Sequence, residues 1–287
     1  MKFALVTPSY AGDFERCALL VETARRCLPP DLLHHLFVDR RDIELFRPLV
    51  SARTRLHEVE ALLPNWIRRA PGRTHDWASD LTPPITNWVI QQVVKLSAVD
   101  AIGEEMLIFC DSDNAFIRPF DPRARLMQGD KLALFYVEED RPDLALWRNV
   151  AAQLLGLPTR SGAPCNYVGN LIAWRRENII ALRRQLEKTA GASWVRAFVG
   201  HPLLSEYVLY GRFVDELLGT QAAGHFHSAY DLVRGSWNNP MATAADIERF
   251  FAGLTPSQVA IMVHSKDNVP VAAYRDRVRA LLAASGC

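Results

Sequence analysis

A chain of 287 residues with 33 basic and 32 acidic side chains has a formal net charge of +1. Local basic patches aside, it has no long-range field with which to gather nucleic acid or an anionic membrane. Its 49% hydrophobic and 23% charged residues fall in the range of a soluble globular protein, long enough to bury one large α/β domain or two small ones.

Five cysteines (Cys17, Cys27, Cys110, Cys165 and Cys287) form no CxxC pair and no zinc-like cluster. A scattered, odd-numbered set points to reduced thiols and a cytoplasmic compartment. Met1-Lys2 runs straight into Phe3-Ala4-Leu5-Val6, too short for the apolar core of a secretion signal and better read as a first strand. No stretch approaches the ~18 apolar residues that a bilayer span requires. Membrane association would therefore be peripheral, at the inner face.

The first half alternates short apolar runs with helical patterns, the signature of βαβ units. Phe3–Val6 reads as a strand followed by a Thr-Pro-Ser-Tyr-Ala-Gly loop, then a helix from about Asp13 to Cys27 with Asp13 as its cap. Leu36–Val38 is a second strand ending at Asp39, and Arg55–Val59 a third. Residues 64–84, with Pro64, Pro71, Pro83 and Pro84, read as an irregular excursion. A helical pattern returns from Ile85 to Val99, with Trp88, Val89, Val93, Leu96 and Val99 on one stripe. Gln92 falls inside that stripe, and an amide there needs a partner. Met106–Cys110 is a continuous apolar run suited to a strand buried on both faces. The second half continues with strands at Leu132–Val137 and Asn170–Trp174 and helices at Glu177–Lys188 and Ser205–Leu218. A polar loop at 219–240, a strand at Val259–Val263 and a last helix at Val271–Ala284 complete it. With no internal repeat and no linker, the expectation is a single domain over 1–287, its first 120 residues forming a nucleotide-binding half and 121–287 an acceptor-side half.

Asp111-Ser112-Asp113 follows the Met106–Cys110 run directly. Residues two apart on an extended segment project to one side, and open α/β sheets bind ligands at the carboxyl ends of their strands. Two carboxylates converging there repel unless a cation joins them, and a hard ion such as Mg²⁺ or Mn²⁺ suits their oxygens. An isolated Asp-x-Asp is more often a plain turn; its position after a buried mid-chain strand favours the functional reading. Haloacid-dehalogenase-type phosphatases also carry an apolar strand followed by Asp-x-Asp. In them the motif lies near the amino terminus, whereas here about a hundred residues precede it and Asn114-Ala115-Phe116 occupies the turn. A phosphatase or nucleotidyltransferase is thus the runner-up, and an inactive nucleotide-sugar-binding protein the third alternative.

Several segments in fixed order resemble GT-A fold glycosyltransferases. These are Val6-Thr7-Pro8-Ser9-Tyr10, the Trp88 to Leu96 segment with Gln91, Gln92 and Lys95, Asp111-Ser112-Asp113, Ile117-Arg118-Pro119-Phe120 and His264-Ser265-Lys266. The likeness is to a group of bacterial glycosyltransferase-like proteins and, more distantly, to the glycogenin and lipopolysaccharide galactosyltransferase relatives. It implies a Rossmann-like mixed central sheet flanked by helices, with an elaborated C-terminal half. The implied activity is metal-dependent transfer of a sugar from a UDP- or GDP-type donor to a saccharide or glycolipid acceptor in bacterial surface glycan synthesis. Carried over by position, Asp113 and Asp111 would bind Mn²⁺ or Mg²⁺, with Asp111 also near the reacting centre, and His264 would complete the site. Lys266 would meet the diphosphate. Thr7, Pro8, Tyr10 and Asp39 would line the base and ribose pocket, with Ser112, Gln92 and Lys95 reaching the nucleotide. The late segment lacks the fuller His-x-x-Gly-x-x-Lys-Pro-Trp pattern of the glycogenin relatives, so retention or inversion stays open.

The remaining candidates have common structural readings too. In His201-Pro202-Leu203-Leu204-Ser205-Glu206-Tyr207, Ser205 can cap a helix and Glu206 can sit in its first turn. Alternatively, Glu206 is the base that takes an acceptor hydroxyl proton. His225 and His227 lack companions at zinc spacing. Trp237 with Asn238 and Asn239, and the Asn166–Asn170 segment, suit sugar recognition or simple turns. A loop within 140–165 or 225–240 would close over the donor.

Overall fold

The computed structural model describes residues 1–70, 72, 76–139, 141–158, 165–237 and 239–287. Pro71, Asn238 and residues 159–164 of the expected closing loop lie outside them. The chain is a mixed α/β protein with a parallel-rich central sheet and flanking helices. It divides into two compact units, each drawing on both halves of the sequence. One comprises Met1–Lys2, Val59–Ile108 and Leu126–Ala229; the other comprises Phe3–Glu58, Phe109–Arg125 and Tyr230–Cys287.

The second of these units holds the parallel strands Phe3–Pro8, Leu33–Val38 and Thr54–Glu58, with Pro8 opposite Phe37 and Val38 opposite Glu58. The first is buried at every position, as a strand covered on both faces must be. The Phe14–Cys27 helix turns Cys17, Leu20, Val21 and Ala24 inward, the 3.6-residue spacing of a core-facing stripe. Cys17 and Val21 pack with Leu36, Val38, Phe46 and Leu49. The Asn114–Phe116 strand runs antiparallel to Ala260–Met262, which in turn runs parallel to Val233–Gly235. Thr23 ties helix to strand by accepting from the Phe116 N–H at 3.0 Å.

In the other unit, residues 64–84 are not an irregular excursion. They contain the Ile67–Arg69 and Asp76–Ser79 strands, which with Ile85–Thr86 form an antiparallel sheet. The Asn87–Ser97 helix follows, capped by Thr86, whose hydroxyl accepts from the Val89 N–H. Its buried stripe includes Val89, Val93 and Leu96 as expected, but Trp88 is 42% exposed, in the first turn beside Trp147. Residues 142–155 of the expected closing loop are instead the Pro142–Leu155 helix, which opens with proline and ends on left-handed Gly156. The polar 219–240 segment likewise holds strands, His225–Ser228 beside Lys131–Phe135 in this unit and Val233–Gly235 in the other. The helix read over Ser205–Leu218 is α-helical only over Glu206–Arg212 and continues as a π-helix over Phe213–Leu218. Among the described residues no helix is long and apolar enough to cross a membrane.

Two buried histidines stand side by side on the Leu33–Val38 strand. His34 shares a 2.9 Å bond with Thr7 Oγ1, and His35 Nδ1 lies 2.9 Å from His57 Nε2. Burial holds His34 down to about 3 and His35 to about 4. Both are therefore neutral in the folded protein at pH values where the unfolded chain protonates them. Their contribution to stability is complete above pH 6.5 and is lost as pH falls below it. At pH 5 the expected loss is about 2 kcal/mol for each, at ~1.4 kcal/mol per pH unit. Urea unfolding at pH 7 and pH 5 checks this: His35→Gln should reduce the loss at pH 5 by about 2 kcal/mol relative to the unsubstituted protein.

Candidate functional site

The Phe3–Glu58, Phe109–Arg125 and Tyr230–Cys287 unit gathers acidic groups where its parallel strands end. Cys110 donates its N–H to the Val6 carbonyl at 3.0 Å, so the Asp111–Asp113 segment leaves the sheet alongside the first strand. Ser9 donates to the Phe37 carbonyl at 2.9 Å, which brings the Ser9–Asp13 loop beside the end of the second strand and Asp39. Asp111 is exposed and Asp113 half-buried. The Val263 N–H donates to the Asp113 carbonyl at 2.9 Å, because the Asn114–Phe116 and Ala260–Met262 strands are paired. That register sets His264 next to the Asp-x-Asp turn.

Electrostatics bind these groups into one site. Burial pushes the Asp113 carboxyl up to about 8, with the negative charges of Asp111 and Asp13 adding to it. Asp13 is raised as well, chiefly by burial, against the pull of Arg16 and a bond from Ser112, and it feels both Asp111 and His264. The Asp113 Oδ1 atom accepts a long 3.3 Å bond from Asn114 Nδ2, which also donates to the Asp111 carbonyl at 3.0 Å. The Asn114 Oδ1 atom is buried with no partner among the described residues. His264 is half-buried, its N–H donating to Ser236 Oγ at 2.9 Å and its Nδ1 atom 4.0 Å from Asp267 Oδ1. The ring of Trp237, 57% exposed, meets the His264 ring edge-on at 5.7 Å.

The other candidates of this unit divide by position. Asp39 is buried, with Arg41 Nη2 3.4 Å from its Oδ2 atom. Tyr10 is half-buried, and its ring lies over Gly12, where an added Cβ would come within 2.5 Å of it. Only glycine leaves that space. Thr7 is wholly buried with its hydroxyl on His34, and Pro8 is buried beside it. Lys266 is exposed on the Ser265–Asp267 turn. Asp13 is the group that sequence reasoning assigns elsewhere. It makes no capping bond to its helix, and its Oδ2 atom instead accepts from Ser112 Oγ at 3.2 Å.

Gln92, Lys95 and Glu206 lie in the other unit and form a cluster of their own. Lys95 Nζ is 3.0 Å from Glu206 Oε1 and 2.8 Å from the Tyr207 hydroxyl, with both charged side chains 5% exposed. Gln92 Oε1 accepts from the Glu206 N–H at 2.9 Å, the partner that its place in an apolar stripe demands. The structure thus brings these three together around a buried ion pair. Glu206 as a base would have to release Lys95, and Lys95 as a nucleotide contact would have to release Glu206. Ser205 caps the helix, accepting from the Val208 N–H, as the sequence pattern indicates.

The chain is therefore an α/β protein with an acidic site at the carboxyl ends of parallel strands. It belongs to the DUF6492 family, a family of unknown function, whose sequence model matches residues 3–286. No curated protein matches it. Among solved structures it is similar to mouse xyloside xylosyltransferase 1 in its apo form, with 12% identity and a TM-score of 0.47 over 94% of this chain and 100% of that one.

Two predictions follow from these contacts. Glu206→Ala leaves the Lys95 ammonium buried without its counter-charge and should destabilise the protein by about 3–5 kcal/mol, whereas Lys95→Met with Glu206→Leu should be far milder. Urea unfolding of the three proteins tests it, and an unchanged Glu206→Ala midpoint would remove the structural role of the pair. Asp113 gives the opposite pH dependence to the histidines. In the metal-free protein it keeps a proton that the unfolded chain releases above about pH 4, so its contribution falls as pH rises toward about 8. Between pH 6.5 and 8, where His34 and His35 are neutral in both states, thermal stability should decline with pH, and Asp113→Asn should flatten that decline.

Proposed function

We propose that the protein is a metal-dependent glycosyltransferase of the GT-A type, which moves a sugar from a nucleoside diphosphate donor to a saccharide or glycolipid acceptor. The observation that supports the reading is the electrostatic coupling of Asp111 and Asp113 just past a buried strand. Burial and neighbouring carboxylates there drive Asp113 far above the usual carboxylate range. Such a site is electrostatically incomplete until positive charge enters it.

The donor atoms suit Mg²⁺ or Mn²⁺, which take hard oxygen ligands. Among the described residues no group of three or more His, Cys, Asp or Glu side chains is placed to enclose an ion. The proposed cation would be held by one or two carboxylates, with donor diphosphate and water supplying the remaining oxygens, the habit of Mg²⁺ at phosphate sites. Asp111 and Asp113 would hold the ion, with His264 close by after the neighbouring strand. When bound, the ion stabilises the charge that gathers on the departing diphosphate.

The remaining work falls to the chain's own residues. Asp39 would accept from the ribose or base, and the Ser9–Tyr10 segment would border the nucleoside at the end of the first strand. Lys266, exposed two residues after His264, would add positive charge to the leaving group. In the transfer the anomeric carbon's bond to phosphate oxygen breaks, a bond to an acceptor hydroxyl oxygen forms, and the hydroxyl proton is lost. Glu206 is engaged with Lys95, so this reading gives it no part in removing that proton. The five cysteines are free thiols, in keeping with a cytoplasmic enzyme acting on sugar nucleotides, with any membrane contact peripheral.

A thermal-shift series of UDP- and GDP-sugars with and without Mn²⁺ tests the proposal. A fitting donor at a hundred times its Kd should stabilise the protein by about 2.7 kcal/mol, a rise in Tm of several degrees. The Mn²⁺-dependent part should vanish in Asp113→Ala, together with transfer or donor hydrolysis. No Mn²⁺-dependent shift with any nucleotide sugar, or full activity in Asp113→Ala, would sink it.

A further inference from the structure

The Phe14–Cys27 helix begins immediately after Asp13, yet the Asp13 carboxylate turns away from the helix N–H groups. Both of its oxygens have other partners. Oδ2 accepts from Ser112 Oγ at 3.2 Å, and Oδ1 lies 3.4 Å from Arg16 Nη1. Arg16 reaches onward, its Nη2 atom donating to the Val269 carbonyl at 3.1 Å. The two side chains are 10% and 14% exposed, so the pair is largely shielded from water and from salt. One buried ion pair thereby joins three separate segments. These are the loop after the first strand, the middle residue of Asp111-Ser112-Asp113, and the chain just beyond His264.

Ser112 lies between the two carboxylates proposed to hold the cation. Pinning its hydroxyl fixes the backbone from which both project, while the Val269 bond steadies the segment that presents His264 and Lys266. We propose that Asp13, supported by Arg16, is a positioning residue of the cation site. It acts through the Ser112 hydroxyl, to which its Oδ2 atom is bonded, with its Oδ1 atom turned to Arg16. The inference rests on the glycosyltransferase reading of the site given above.

Outer groups that orient metal ligands typically change metal affinity by ~10–100-fold when removed. The test is Mn²⁺ binding to the full chain in the presence of UDP, followed by the loss of the free-ion electron paramagnetic resonance signal. Asp13→Ala and Ser112→Ala should each weaken binding by about tenfold. Because they break the same link, the double variant should bind no more weakly than either single one. Ser112→Thr keeps the hydroxyl and should bind close to the unsubstituted protein. Circular dichroism confirms that each variant is folded, and Ser112→Ala carries the test if Asp13→Ala is not. Unchanged Mn²⁺ binding in Ser112→Ala, or independent losses that multiply in the double variant, overturns the positioning role while leaving the site reading intact. No saturable Mn²⁺ binding by the unsubstituted protein overturns both.

Discussion

Taking a carboxylate out of water is expensive, and placing it beside two others is more so. Asp113 meets both conditions, half-buried at the end of a strand and within the field of Asp111 and Asp13. A protein can hold such a group by lending it a cation of its own, by keeping a proton on it, or by leaving its charge for something else to complete. Arg16 is nearby, but it stands against Asp13 rather than Asp113. The fold thus disfavours the charged form of Asp113, whose carboxyl is pushed up to about 8. Much of the local architecture serves this corner, including the pairing of Asn114–Phe116 with Ala260–Met262 and the Val263 bond to the Asp113 carbonyl.

Elsewhere the same chain handles buried ionisable groups differently. Lys95 and Glu206 neutralise each other, and the Tyr207 hydroxyl and Gln92 amide complete the cluster around them. His34 and His35 stay uncharged, burial having lowered both well below neutrality. Tyr210 and His225 satisfy one another at 2.9 Å, with the His225 Nδ1 atom on the Leu132 carbonyl. For the Lys95–Glu206 and Tyr210–His225 pairs the polar demand is met within the fold, whereas His34 Nδ1 and His35 Nε2 are buried without a partner among the described residues. At Asp113 burial and neighbouring carboxylates instead push the carboxyl up to about 8, and that perturbation marks the site more clearly than the presence of acidic residues does.

Apart from residues 64–84 and the Asn114–Phe116 strand, which reads as a turn, the order of strands and helices in the first 120 residues is legible because it rests on strong local signals. Continuous apolar runs such as Met106–Phe109 and the stripe of Phe14–Cys27 permit little else. Residues 64–84 and 225–235 are not legible in this way. Their strands are three or four residues long, carry Arg, His and Gly, and become strands only because a neighbour offers a ladder, as Leu132 and Leu134 do for His225 and His227. The π-helical Phe213–Leu218 segment is likewise a tertiary product. It lets Asp215 accept from the Tyr167 and Thr220 hydroxyls, both at 2.6 Å, and from His227. Nothing in the spacing of apolar residues announces such a shift from 3.6 residues per turn.

The site teaches a related lesson about polar anomalies. A Gln in an apolar helical stripe is a sound signal that a partner exists, because an unpaired buried amide costs about 1–3 kcal/mol. It carries no information on whether that partner is a substrate or another part of the chain. For Gln92 the partner is the Glu206 N–H, 114 residues away. Asp13 errs in the opposite direction. The local rule for an acidic residue before a helix is a cap, a bond within three residues, and that rule hides a bond to Ser112 across 99 residues. The Asp-x-Asp segment carries the same ambiguity, since alone it is more often a plain turn, and its place after a buried mid-chain strand is what favours the functional reading.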